Sequence, residues 1–126
     1  MLRNLVFLDP AGVWQLPFEG PTLTLGRDDG NDVKLEDLQV SRRHAALQLR
    51  DDGAVWVVDL DSRNGVFRNG IRVPGSSPLV HRDVLAIGQA KIRFLETAGH
   101  SSHAQLSFSW PDLADMQPPR MAAAPR

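Results

Sequence analysis

Apolar and polar residues follow one another in short runs of four to seven over most of this chain, with period two rather than helical spacing. Leu5-Val6-Phe7-Leu8 is followed by the turn residues Asp9-Pro10-Ala11-Gly12 and then by Val13-Trp14-Gln15-Leu16. Thr22-Leu23-Thr24-Leu25 alternates strictly, as a half-buried strand does. The same reading predicts strands over 32–35, 44–50, 55–60, 66–67, 71–73, 84–87 and 90–95. Asp51-Asp52-Gly53 and Arg68-Asn69-Gly70 mark hairpins, and 74–78, bounded by Pro74 and Pro78, reads as a loop. About ten short strands without a helix predict an all-β antiparallel sandwich or barrel. Trp14, Trp56 and Phe94 are expected in its core.

The pattern fades after Glu96. Ala, Ser, Pro and Gly make up 15 of the residues in 97–126, so one domain over 1–96 is expected, followed by a mostly irregular, partly disordered tail. Leu106, Phe108 and Trp110 alternate weakly, and Trp110 suits an edge strand or a partner. The N-terminal apolar run is too short for a signal peptide or a membrane span, which predicts a cytoplasmic protein without membrane insertion.

Charge and composition then narrow the chemistry. Fourteen basic and 15 acidic residues interleave to a net charge of −1, with no basic stripe for nucleic acid. No cysteine is present, so thiolate zinc sites and disulfides are excluded. His100 and His103 have metal-like spacing but lack a third ligand. No cofactor or metal is expected. Twelve of the 14 basic residues are Arg, whose planar fork suits two-point contact with phosphate or carboxylate.

Three polar signatures lie at expected strand ends. Gly26-Arg27 is either a strand-ending glycine beside a solvated arginine or a guanidinium aimed at a ligand. In Ser41-Arg42-Arg43-His44, the hydroxyl either satisfies its own loop or joins a guanidinium in gripping an oxyanion. A Ser41 nucleophile with His44 as base lacks the Gly-x-Ser-x-Gly elbow and the right direction, so no enzyme is expected. His44 reads instead as a loop-tying residue, and Arg43 as facing solvent or a carboxylate. Asp59-Leu60-Asp61-Ser62-Arg63-Asn64-Gly65 supplies turn residues plus an amide, Asn64, able to donate to and accept from a peptide backbone. Asn69-Gly70 is most simply a turn.

In this order and spacing, the signatures resemble the forkhead-associated (FHA) domain over residues 22–96. The resemblance implies an eleven-stranded β-sandwich, FHA/SMAD-like, whose loops bind phosphothreonine peptides. It implies that Arg27 and Ser41 contact phosphate, that Arg42 adds a further contact, and that Asn64 holds the peptide main chain. It places Gln39 where the third residue after the phosphothreonine is read, and makes Gly26, His44, Gly65 and Asn69 loop-shaping. Arg63 and Val66 depart from the usual Thr at their positions, and Arg63 adds positive charge to the site. The partner implied is a phosphothreonine protein that is a Ser/Thr kinase or its substrate. The alternative is a phosphate-independent structural adaptor in a secretion or envelope assembly. Thr97, just beyond the last expected strand, is a candidate for phosphorylation and self-docking.

Overall fold

The computed structural model describes residues 1–98; the expectations for Trp110, the two tail histidines and most of the tail fall outside them. Within them the chain forms eleven strands and no helix: β1 (Leu2–Asp9), β2 (Gly12–Pro17), β3 (Thr22–Gly26), β4 (Val33–Lys34), β5 (Ala45–Leu49), β6 (Val55–Asp59), β7 (Phe67–Arg68), β8 (Ile71–Arg72), β9 (Ser76–Leu79), β10 (Val84–Ile87) and β11 (Ala90–Thr97). One sheet has the order β2-β1-β11-β10-β7-β8 and the other β4-β3-β5-β6-β9. All pairs are antiparallel except β3 with β4.

Period-two patterning closes the core. Leu5 and Phe7 of β1, Leu23 and Leu25 of β3, Leu47 of β5, Val55 and Val57 of β6, and Ile92 and Phe94 of β11 all point between the sheets. Trp14 packs on this core with its ring stacked 4.0 Å from Phe7. Trp56 does not join it. Because Val55 and Val57 face inward, the residue between them must face out, and the indole lies there under the Arg50 guanidinium, 4.3 Å away.

The stretch 74–78, expected as a loop, is partly strand. β9 pairs with β6 at the sheet edge, where Pro78 opposes Trp56. An edge tolerates a residue without an N–H, which is why proline signals failed to exclude a strand. Asn69-Gly70 forms the expected turn, with φ of 51° and 87°, the left-handed pair of a tight type I′ hairpin.

Asp83 anchors that hairpin. Its buried carboxylate accepts from Arg68 Nε (2.7 Å), the Val80 N–H (2.8 Å) and Asn69 Nδ2 (2.9 Å). Burial pushes its pKa up, but the bonds from Arg68, Val80 and Asn69 outweigh it, and the net shift is downward. Between the folded value and the ordinary carboxylate value the unfolded chain binds more protons, so stability rises with pH there. The contribution is complete above about pH 4 and lost as pH falls through the folded pKa. Denaturant titrations between pH 2 and 6 are expected to show a shallower acid-side decline in Asp83→Asn than in wild type.

Candidate functional site

The β3–β4, β4–β5 and β6–β7 loops meet at one end of the sandwich. Backbone bonds from Arg27 N–H to Ser41 O (3.0 Å) and Asp28 N–H to Arg42 O (3.2 Å) zip the first loop to the second. Gly26 makes that approach possible: a Cβ there would lie 2.2 Å from the Arg42 carbonyl oxygen. The buried Asn31 side chain completes the seam, donating from Nδ2 to Asp28 O (2.9 Å) and Arg42 O (2.7 Å).

His44 joins the second loop to the third. It is fully buried, and its Nδ1 accepts the Ser41 N–H at 3.0 Å. Since Nδ1 is an acceptor, Nε2 carries the proton and donates it to Gly65 O at 2.8 Å. The β6–β7 loop holds its own shape through Asp59 Oδ1, which accepts from the Ser62 N–H, and Ser62 Oγ, which accepts from the Gly65 N–H.

This scaffold orients three polar groups. Arg27 Nε donates to Val40 O at 3.0 Å, which anchors the stem and leaves the two terminal nitrogens as further donors. Ser41 Oγ accepts the Arg63 N–H at 2.9 Å, so its own O–H proton is available to a ligand. Asn64 Nδ2 donates to Gln39 O (2.8 Å) and Gln39 Oε1 (3.2 Å), leaving its carbonyl oxygen as an acceptor. Arg27, Gln39, Ser41, Arg42, Arg63 and Asn64 together line a depression of about 240 Å³. Every residue expected to touch ligand is therefore in one place.

The electrostatics favour an anion. Among the described residues the ion pairs use Arg3, Lys34 and Arg68, and none engages Arg27, Arg42, Arg43, Arg63 or Arg72. The nearby Asp29 is tied to Lys34 at 2.7 Å. That hydrogen bond and charge hold the Asp29 carboxyl below its usual range and raise Lys34. His44 Nδ1 faces the backbone N–H of Ser41 rather than its hydroxyl. No group of three or more His, Cys, Asp or Glu that could hold a metal occurs among the described residues.

Thr97 cannot reach the depression as placed. It pairs with Leu2 at one end of β11, whereas Ala90, at the other end, follows the turn that touches Asp37 and Val40. Seven residues of strand span roughly 23 Å, so self-docking of Thr97 would require β11 to peel away from β1.

Two contributors were not expected from the sequence. Arg72 of β8 lays its guanidinium against Gly65, the residue after Asn64, where a Cβ would sit 2.8 Å from Cζ. Asp37 clamps the β4–β5 loop: Oδ1 accepts the Gln39 N–H (2.9 Å), Oδ2 the Gln89 N–H (2.8 Å), and its backbone carbonyl the Val40 N–H (2.9 Å). Gly88, with φ of 59°, lets the β10–β11 turn come that close. Asp37→Asn turns an acceptor into a donor facing an N–H. Loss of one such bond, about 1.5 kcal/mol, predicts roughly tenfold weaker ligand binding at a nearly unchanged circular dichroism spectrum.

Comparison with known proteins adds the following. A family model described as FHA domain matches residues 23–88. The "Oxoglutarate dehydrogenase inhibitor" of Corynebacterium diphtheriae is 42% identical over 77 residues, which is 60% of this chain and 52% of that protein. The chain thus spans about half the length of the curated relatives it matches. Among solved structures, the FHA domain of the CT664 protein from Chlamydia trachomatis superposes with a TM-score of 0.72 at 28% identity, covering 78% of this chain and 100% of that one. EmbR of Mycobacterium tuberculosis, solved in complex with a low-affinity phosphopeptide, gives 0.68 at 27% identity, over 76% of this chain and 25% of that one.

Proposed function

The chain belongs to the FHA domain family, and from that premise we propose that it is a phosphothreonine-peptide recognition module, a protein–protein interaction adaptor in Ser/Thr-kinase signalling. The observation that carries this reading is that Arg27, Ser41 and Asn64 line one depression together with Arg42 and Arg63, with Arg27 and Asn64 each anchored through one nitrogen and the Ser41 hydroxyl used only as an acceptor. A phosphothreonine brings about −1.5 to −2 charges and three acceptor oxygens. Arg27 and Arg42 neutralise the charge, Ser41 donates to one oxygen, and Asn64 takes a main-chain N–H beside the phosphorylated residue. Charge-assisted bonds of this kind contribute about 1.5–3 kcal/mol each, so removing the phosphate removes most of the affinity.

The partner is a phosphothreonine protein that is itself a Ser/Thr kinase or a kinase substrate, met in the cytoplasm and recruited, localised or inhibited by docking. The module acts by binding rather than by catalysis. The buried, doubly bonded His44 and the acceptor role of Ser41 Oγ support that view.

Calorimetric titration with matched phosphothreonine, phosphoserine and unmodified peptides tests the proposal. The expected result is affinity near the micromolar range, about −8 kcal/mol, for phosphothreonine alone, weakening with added salt as screening grows. Equal binding of the unmodified peptide would favour the phosphate-independent adaptor instead.

A further inference from the structure

A second depression, of about 690 Å³, adjoins the first between the β1–β2 turn, the β4–β5 loop and the β10–β11 turn. Leu38, Gln39 and Val40 line both, so a single loop borders the two. Trp14, Leu35 and Val40 form its apolar floor. Leu38, on the shared wall, is 86% exposed, unlike the other leucines of the neighbouring strands.

Charge is divided between the two. Arg27, Arg42 and Arg63 line the first, whereas Asp9, Glu36 and Asp37 line the second. The cation there, Lys34, lies 2.7 Å from Asp29, outside the groove lining, and 3.5 Å from Glu36, so three carboxylates against one ammonium leave the lining net negative. A ligand with a phosphate at one point and a cation farther along the same chain complements both halves. A second copy of this face would instead bring carboxylates against carboxylates.

Building on the phosphothreonine reading above, we propose that this groove seats the segment of the same phosphorylated partner that flanks its phosphothreonine. An apolar side chain of that segment packs against Leu38 and Trp14, and a lysine or arginine beyond it lies beside Glu36 and Asp9. The groove thereby selects among phosphothreonine proteins that the first depression alone treats alike.

The test uses the full chain and fluorescently labelled phosphothreonine peptides of seven residues and of fifteen, the outer positions of the longer set randomised among Leu, Ser, Lys and Glu. Burying one leucine-sized side chain corresponds to about tenfold in affinity. The retained fifteen-residue peptides are expected to be enriched in Leu and Lys and to bind about tenfold tighter than the short one. Ala11→Arg, which fills the groove from an exposed turn, should remove that gain and leave the short peptide's affinity unchanged. Glu36→Lys should shift the enrichment from Lys to Glu. Arg27→Ala should weaken binding by a hundredfold or more at both lengths, and an unchanged affinity would overturn the phosphothreonine reading rather than the groove. No length gain in wild type, or an undiminished gain in Ala11→Arg, overturns the groove proposal. Sedimentation showing a dimer that Ala11→Arg dissociates would assign the groove to a second copy and overturn it as well.

Discussion

Arg27→Ala is expected to lower affinity for a phosphothreonine peptide by a hundredfold or more, at an unchanged fold. The side chain supplies two things that no neighbour replaces. Its Nε–Val40 O bond fixes the stem, so the entropy of ordering a long side chain is lost before the ligand arrives. Its terminal nitrogens then meet the phosphate as a preset fork, and two charge-assisted bonds lost at about 1.5 kcal/mol each exceed a factor of one hundred. Arg27→Lys separates these contributions. It keeps the charge but loses the planar fork and the anchored stem, so its affinity should fall between the two. Ser41→Ala should be nearly as severe, because it removes a phosphate donor and the acceptor that holds the Arg63 N–H. Calorimetry gives the affinities and a proton–nitrogen correlation spectrum verifies the fold. An unchanged dissociation constant for Arg27→Ala would displace the phosphate from this depression.

The strands were legible because local signals encode them, whereas the phosphate-end residues were locally ambiguous and stood out only through their joint order and spacing. Alternation at Thr22–Leu25 and the turn at Asn69-Gly70 announce themselves within four residues, whereas Ser41 and Asn64 lie inside the β4–β5 and β6–β7 loops, where each motif alone reads equally well as turn chemistry. Features that join distant segments were not visible. Asp37 and Gln89 lie 52 positions apart and meet only because β10 and β11 bring their turn under the β4–β5 loop. Arg72 reaches Gly65 only because β8 folds back on β7. β9 was hidden by prolines that an edge strand accommodates. Trp56 is different: the parity of Val55 and Val57 already placed it outward, and its bulk argued misleadingly for the core.

His44 is where fold and binding become inseparable, and His44→Leu is expected to damage both. Leucine fills the space of the imidazole without its nitrogens, so the variant isolates two hydrogen bonds rather than a cavity. The Ser41 N–H and the Gly65 carbonyl are then left without their buried partner. Each such loss costs about 1–3 kcal/mol, or roughly 2–6 kcal/mol together against a total stability of about 5–15 kcal/mol for a domain. For a domain near 100 residues this lowers Tm by roughly 10–30 °C. Below the new transition the strands persist, yet the loops carrying Ser41 and Asn64 are no longer tied to one another, so phosphothreonine affinity should fall more than tenfold in protein that is still folded. Nitrogen shifts of the wild-type ring should report a protonated Nε2 and a bare Nδ1, the tautomer these bonds require. A melting temperature within a few degrees of wild type, or a ring protonated on Nδ1, would show that the two loops are held together by something other than this histidine.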